Sequence, residues 1–193
     1  MFTIRAAHPG GPDQTSQALA KVEAELAAHG ARPLAVQTLT QPAGLEVALD
    51  APALAAAVVR ELLALEGVAV GVGVGPQEQA PKQAQRALAA ASKRTATRPV
   101  VVAARNKDGA HSTTILAQAL AALVQGRTAL GHEAVAAMRH HPDRASAAAQ
   151  LGITTQALSQ RLRTANQVEA NGLEGFLTRG LTALEALTAR RPK

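Results

Sequence analysis

The stretch Asp143-Arg-Ala-Ser-Ala-Ala-Ala-Gln-Leu-Gly-Ile-Thr-Thr-Gln-Ala-Leu-Ser-Gln-Arg-Leu-Arg163 contains two short helical patterns separated by a glycine. Two helices that cross at about 90–120° through a tight turn need a small residue where they touch. They also need a residue between them that tolerates a positive φ. Ala148 and Gly152 have these two properties. The spacing therefore predicts a helix-turn-helix within residues 143–165.

The residues after the glycine complete this pattern. Ile153 is expected to fill the space beneath the turn, and Thr154 to cap the second helix. Leu158 and Leu162 are four residues apart, so both face the core on the same side of that helix. An Ala-rich helical hairpin with a glycine between its helices could show part of this pattern for purely structural reasons, and that alternative stays open here.

The outward side of the second helix carries polar groups that suit DNA. Thr, Gln, Ser and Arg side chains hydrogen-bond base edges, and this face has no carboxylate that would repel phosphate. Arg144 and Arg161 fit phosphate contacts at its margins, although a single surface arginine can also be simply solvated. The predicted DNA-contacting residues are Arg144, Thr154, Thr155, Gln156, Ser159, Gln160, Arg161 and Arg163. The sequence thus predicts double-stranded DNA as a partner.

The residues Arg139, His140 and His141 just before the motif could extend its positive rim. A metal pair is the alternative for the two histidines, but neighbouring residues on a helix do not share a face. We therefore expect no metal site there, and the sequence predicts no catalytic residue and no cofactor.

Towards the N-terminus, hydrophobic residues alternate between a period of two and a helical period. The predicted elements are a strand over Met1–Ala7, a turn at HPGGPD, a helix over Gln14–His29 capped by Asp13 and stopped by Gly30, strands Leu34–Thr40 and Leu45–Leu49 around QPAG, a helix from Asp50 to about Leu65, a strand over Val68–Val74, a helix over Lys82–Thr97 and a strand over Pro99–Ala104. The order β-α-β-β-α-β is the split βαβ arrangement of ferredoxin-like folds.

The C-terminal half has only helical patterns. The polar stretch RNKDGAHS (105–112) lacks periodicity and is the predicted linker between domains 1–104 and 105–193. The predicted helices are Ile115–Val124, Gly131–His141, Arg144–Gln150, Thr155–Gln167 and Leu173–Thr188. A leucine stripe on the last helix fits either a cover for the core or a dimer seam. The expected fold class is α+β, with a ferredoxin-like or nucleotide cyclase-like sandwich followed by an all-α helix-turn-helix domain.

Glycine alternates with valine along the strand within Val68–Gly75. Strict alternation indicates a strand with one bare face, over which a helix or another sheet passes closely. A phosphate-binding loop is the alternative, but such loops have irregular glycine spacing and a Lys, Ser or Thr that reaches the phosphates. Close packing is the favoured interpretation.

Composition and charge narrow the class of protein. The 193 residues include no Cys, Trp or Tyr, which excludes a disulfide scaffold and Cys-ligated zinc. The net charge is +6, of which residues 105–193 contribute +5, so a polyanion is expected to meet the C-terminal half. No apolar run is long enough for a membrane span and no signal peptide is recognisable, so a cytoplasmic protein without membrane contact is expected.

The chain resembles the SatD family of bacterial proteins, in which a domain similar to nucleotide cyclases and GGDEF domains precedes a helix-turn-helix. The resemblance is carried by Val68-Ala-Val-Gly-Val-Gly-Val-Gly, by Ala80-Pro-Lys-Gln-Ala-Gln-Arg-Ala-Leu-Ala-Ala-Ala and by Leu151-Gly-Ile-Thr-Thr-Gln-Ala-Leu-Ser-Gln-Arg-Leu. It implies a cyclase-like fold and a homodimer, since cyclase-like domains commonly pair.

The chain departs from this family pattern where active cyclase-like domains hold two divalent metals. The first strand offers Arg5 and no carboxylate, and Ala43-Gly-Leu-Glu-Val leaves Glu46 as the only acid of the hairpin. One carboxylate does not hold two hard cations against a triphosphate. We therefore expect a DNA-binding transcriptional regulator that is not an enzyme, whose first domain dimerises or senses an unknown effector. A cyclase-like nucleotide-binding or nucleotide-cyclising enzyme and a protein-interaction module are the alternatives.

Overall fold

A five-stranded sheet and helices form a mixed α+β architecture in this computed structural model, which describes residues 1–7, 12–40, 43–93 and 97–189. The strands are β1 (Phe2–Ala7), β2 (Ala35–Thr40), β3 (Ala43–Leu49), β4 (Ala69–Val74) and β5 (Val100–Ala103). The helices of the described residues are α1 (Pro12–Ala28), α2 (Pro52–Leu63), α3 (Ala80–Ser92), α4 (Lys107–Gln125), α5 (Ala129–His140), α6 (Arg144–Gln150), α7 (Thr155–Thr164) and α8 (Gln167–Ala189). The predicted α+β class is confirmed.

The sheet has the strand order β2-β3-β1-β4-β5. β1 pairs antiparallel with both β3 and β4, and β2 pairs antiparallel with β3. β5 is parallel to β4 and is joined to it through α3, because a parallel pair needs a crossover connection. β2 and β5 are therefore the two edges of the sheet.

The bare face of β4 is covered by α3, as the alternating glycines predict. A Cβ atom at Gly71 would overlap the backbone nitrogen of Leu88, and one at Gly73 would overlap the carbonyl oxygen of Ala80. Glycine at these two positions is what lets the helix backbone lie directly on the strand. The packing interpretation of the glycine alternation is confirmed.

The main hydrophobic core lies on the other face of the sheet. Phe2 and Ile4 of β1 are fully buried there together with residues of α1, α2, α4 and α8. Leu177, Leu181 and Leu184 of α8 are at most 1% exposed in this core. The leucine stripe of the last helix thus covers the core, which is one of its two predicted roles.

The predicted linker is wrong for most of its length, because α4 already begins at Lys107. Asn106 caps the helix, its side-chain oxygen accepting a hydrogen bond of 2.7 Å from the Gly109 amide. Gly109, which made the stretch look irregular, allows a close approach of Leu184, whose Cδ2 would lie 2.8 Å from an added Cβ. Core packing therefore continues across residue 104, while the division into domains 1–104 and 105–193 stays a prediction.

A separate small core joins α5, α6 and α7. It contains Ala134, Val135, Ala137, Ala147, Ala148, Leu158, Leu162 and Ala165. The third of these helices ends at Thr164 and not at the predicted Gln167, since Asn166 takes a left-handed conformation with φ +49°. Asparagine tolerates this region better than most residues, and α8 starts immediately after it, six residues before the predicted Leu173.

Two other helices begin at residues that differ from the predicted starts by one residue or more. α2 begins at Pro52 with Ala51 as its N-cap, so Asp50 does not cap it. Proline suits the first helical position because its φ is already helical and it has no amide hydrogen to satisfy there. α1 begins at Pro12, which puts Asp13 inside its first turn. Residues 8–11 of the predicted turn and residues 41–42 of the predicted hairpin loop lie outside the described residues.

Candidate nucleic-acid interface

The turn between α6 and α7 has the predicted glycine geometry. Gly152 has φ +64°, the left-handed conformation that glycine adopts without steric cost. Its amide donates to the Ala149 carbonyl oxygen at 3.0 Å, and the Ile153 amide donates to that of Ala148 at 3.0 Å. These two hydrogen bonds close the end of α6 and turn the chain into α7.

Both helices of the motif have side-chain N-caps. The Asp143 carboxylate accepts a hydrogen bond of 2.8 Å from the Ser146 amide, and the Thr154 hydroxyl accepts one of 3.1 Å from the Ala157 amide. The backbone hydrogen bond from Ser146 lowers the pKa of Asp143 below its usual value, because it stabilises the ionised carboxylate. Asp143 and Thr154 therefore fix where α6 and α7 begin.

The inward side of the motif is apolar. Leu158 is fully buried and Leu162 is 9% exposed, as their spacing predicts. Ala148 is 2% exposed at the crossing of the helices, and Ile153 packs against the same cluster. The residues predicted to face inward are therefore packed together between α5, α6 and α7.

The outward side of α7 presents a stripe of polar side chains. Gln156, Gln160 and Arg163 are exposed, and their spacing of four and three residues sets them on one face. The Arg163 guanidinium donates to the Gln160 side-chain oxygen at 3.0 Å. Together with Thr154, Ala157 and Ser159 these three residues line a surface hollow of about 500 Å³. No carboxylate lies along α7, whose sequence is TQALSQRLRT.

The other predicted contact residues lie around this stripe. Thr155 is exposed but does not line the hollow. The Ser159 hydroxyl donates to the Thr155 carbonyl oxygen at 2.8 Å, so its proton is used within the helix. Arg161 is half-buried on the side facing α5, with its guanidinium 3.9 Å from a carboxylate oxygen of Glu133. Arg144 is exposed at the start of α6.

A cleft of about 710 Å³ lies between the helix-turn-helix and helices α1, α2 and α8. Arg144, Ser159 and Arg163 line one side of it, and Glu25 and Arg60 lie on the other. Ser159 and Arg163 are therefore accessible both from the outward hollow and from this cleft.

In the cleft, a cluster of ion pairs links α5 to α1, α2 and α8. The Arg60 guanidinium contacts Glu25 at 2.6 Å, Glu61 at 3.1 Å and also Glu174. Arg139 of α5 pairs with Glu61. The three glutamates are at most 17% exposed, and their carboxylates raise the pKa of Arg60, outweighing the opposing effect of burial. The cluster joins α1, α2, α5 and α8.

A second buried cation holds the start of α5 to the joint between α7 and α8. The Arg127 guanidinium donates to the Ala165 carbonyl oxygen at 3.0 Å and to the Gln167 side-chain oxygen at 2.9 Å. Burial lowers the pKa of Arg127 below its usual value, and burial also lowers the pKa of the neighbouring His132, with a further contribution from the charge of Arg127. These contacts connect the segment before α5 to the end of α7 and the start of α8.

The sequence patterns did not predict a role for Arg60, Arg127 or the three glutamates. The available signal was the charged pair Arg60-Glu61 in the otherwise apolar helix PALAAAVVRELL, where a charge on the buried side calls for a partner. The partners are 35 and 114 residues away in sequence, so periodicity does not identify them.

On the sheet, Arg5 of the first strand contacts Glu46, the only acid of the β2–β3 hairpin sequence Ala43-Gly-Leu-Glu-Val. Arg5 and Glu46 are cross-strand neighbours and form an ion pair. The other carboxylate oxygen of Glu46 accepts a hydrogen bond of 2.7 Å from the Gln37 side chain. Both oxygens of this carboxylate are thus bound by protein donors.

Comparisons with protein-family models, curated proteins and solved structures gave no match for this chain. Within residues 1–7, 12–40, 43–93 and 97–189, no helix combines the length and apolarity that crossing a membrane requires.

Proposed function

We propose that this protein is a sequence-specific DNA-binding transcriptional regulator, in which α7 enters the major groove. The observation that carries the proposal is the exposed Gln156, Gln160 and Arg163 stripe on a helix that is capped, turned by Gly152 and held by buried leucines. Amide and guanidinium groups read adenine and guanine edges in pairs of hydrogen bonds. The eight predicted contact residues belong to this proposal.

The structure supports different roles within that set. Gln156, Gln160 and Arg163 are exposed, the last two hydrogen-bonded to each other, while Thr154 also serves as an N-cap and Arg161 lies beside Glu133. Arg144, exposed at the first residue of α6, suits a phosphate contact. We expect Gln156, Gln160 and Arg163 to contact the bases, and residues at the margins of this stripe, such as Arg144, to position α7 on the DNA backbone.

A binding assay with genomic fragments, followed by footprinting, tests the proposal. On the footprinted site, Gln156→Ala is expected to lose about 1–3 kcal/mol of binding free energy and much less on random duplex. The matched control is Gln85→Ala, which removes an exposed glutamine from the distant α3. Failure to retain any genomic fragment at ~50 mM salt, where phosphate contacts are strong, contradicts the proposal. An equal loss on both DNAs would make Gln156 a phosphate contact.

We further propose that the regulator is a homodimer, as the SatD resemblance implies. One helix-turn-helix reads few base pairs, so two copies are expected to protect two inverted half-sites about 34 Å apart. The strand order β2-β3-β1-β4 supports the ferredoxin-like, cyclase-like interpretation of the first domain, to which we assign dimerisation or sensing. A single unpaired half-site in the footprint, with a monomeric mass by light scattering, would contradict the dimer.

We infer that this domain does not cyclise or hydrolyse nucleoside triphosphates. The support is the Arg5–Glu46 ion pair, which directs a fixed cation at the one hairpin carboxylate that a divalent metal would need. Purified protein with Mg²⁺ or Mn²⁺ is expected to leave ATP and GTP unchanged. Turnover that disappears in Glu46→Gln would overturn this inference.

A further inference from the structure

A cleft of about 640 Å³ lies at the β5 edge of the sheet, between α3 and α4. Its basic residues come from separate parts of the chain, because Arg86 and Lys93 lie along or just after α3, Arg98 precedes β5, and Lys107 and His111 belong to α4. All five are exposed. No residue of α6 or α7 lines this cleft, so it is distinct from the DNA-binding surface proposed above.

No acidic side chain in the described part of the chain neutralises the charges in this cleft. The described lining residues include no Asp or Glu, and the nearest acidic residue in sequence, Asp108, is not among them. Among the described residues, none of Arg86, Lys93, Arg98 and Lys107 has a carboxylate within ion-pair distance. Elsewhere Arg60 and Arg139 are paired with glutamates. Four unpaired cations around one concavity favour a ligand with several negative charges.

The floor of the cleft is apolar and its backbone is already satisfied. Ala87, Ala90, Val101 and Ala103 form part of the floor. The Val102 amide donates to the Thr114 hydroxyl at 2.9 Å, and the Gln118 side chain donates to the Val100 carbonyl oxygen at 3.2 Å. Side chains of α4 thus occupy the free edge of β5, which leaves little for an added peptide strand to pair with.

We propose that this cleft binds a phosphorylated small molecule of nucleotide size, with its phosphates among the basic side chains and an apolar or planar group on the alanine and valine floor. The volume is within the range of small-molecule sites, about 300–1,000 Å³. Apolar residues beside the basic side chains suit a small molecule with a nonpolar group better than a duplex backbone, whose contacts are made to phosphates.

Calorimetry with ADP, adenosine and pyrophosphate as probes tests the site on the full chain at low salt. ADP is expected to bind with one site per chain, adenosine to bind far more weakly because it lacks the phosphates, and pyrophosphate to bind more weakly than ADP because it leaves the floor uncovered. Arg86→Ala and Lys107→Ala are each expected to weaken ADP about tenfold, since each removes a charge-assisted hydrogen bond.

The matched control is Lys82→Ala, an exposed cation of α3 outside the cleft, which is expected to leave ADP binding unchanged. Far-UV circular dichroism confirms that the variants fold. Absence of ADP binding overturns the proposal, as does equal weakening in Lys82→Ala or equal binding of ADP and pyrophosphate. Loss of duplex affinity in Arg86→Ala and Lys107→Ala, without ADP binding by the unmodified protein, would assign these side chains to DNA phosphates instead.

Discussion

Gly152 shows how a single residue controls the helix-turn-helix. Its φ of +64° is costly for residues with a Cβ, while an added Cβ would have no atom within 4 Å. The constraint is therefore backbone conformation and not space. At Gly71 and Gly73 of β4 the opposite holds, because there the limit is the space for a Cβ atom and not the backbone conformation.

The loss of stability on substituting Gly152 is expected to depend on how readily the new residue adopts a left-handed backbone conformation, and not on the size of its side chain. Gly152→Val should lower the free energy of unfolding by about 2 kcal/mol or more, because a β-branched residue is strained at positive φ. Gly152→Asn, of similar volume, should cost clearly less because asparagine visits this region more readily. Urea denaturation of both variants measures the difference. Equal losses in the two variants would show that bulk is what the turn rejects.

At the scale of elements, the sequence predicts the close packing of a neighbouring element against β4, and the structure shows that this element is α3. The glycine alternation of AVGVGV predicts a close neighbour, and the structure identifies it as the backbone of α3 from Ala80 to Leu88. By contrast, the start of α2 and the end of α7 differ from the prediction. Pro52 sets where α2 begins, and the positive φ of Asn166 ends α7 before the predicted Gln167. Periodicity identifies a buried face reliably, whereas helix ends depend on a few backbone angles.

Docking of α3 on β4 is expected to fail when a methyl group is added at the contact. Gly73→Ala puts a Cβ into the Ala80 carbonyl oxygen, so strand and helix must separate, and we expect a loss of several kcal/mol or no soluble protein. The control is Gly75→Ala, whose Cβ would meet Gln79 at an ordinary 3.6 Å. Thermal unfolding of both variants provides the comparison. Near-equal melting temperatures would show that α3 can move away without cost.

For the whole molecule, two features bear on the proposed function: the positive charge of the C-terminal half and the ion pairs that hold its helices in place. The C-terminal half carries most of the net charge, and the ion cluster around Arg60 and Arg139 holds α5 against α1, α2 and α8. Arg139 contacts Glu61 of α2, and Arg127 contacts Ala165 and Gln167 at the junction of α7 and α8, so both ends of α5 are tied to other helices.

Duplex binding is expected to weaken steeply with salt. Lysine and arginine side chains that neutralise phosphates release counterions, so the logarithm of the association constant should fall linearly with the logarithm of salt concentration, by about 0.9 per phosphate contact. Arg144→Ala should reduce this slope by about one contact. Gln85→Ala should leave the slope unchanged. A titration of a labelled duplex from low to physiological salt measures it, and a flat dependence would contradict an electrostatic interface.

The amino-acid sequence by itself predicted the two short helices α6 and α7 with Gly152 between them, the bare face of β4 and the α+β class, because each element is defined by residue spacing within about twenty residues. It also identified the outward stripe of α7, since the inward leucines define the opposite side. Only the tertiary structure decided that α4 and α8 join the core of the sheet, that Arg60 meets Glu174 from 114 residues away, and that five basic residues surround one cleft. The physical reason is that burial and charge pairing depend on which surfaces meet in the fold, and local periodicity carries no record of a partner so distant in the chain.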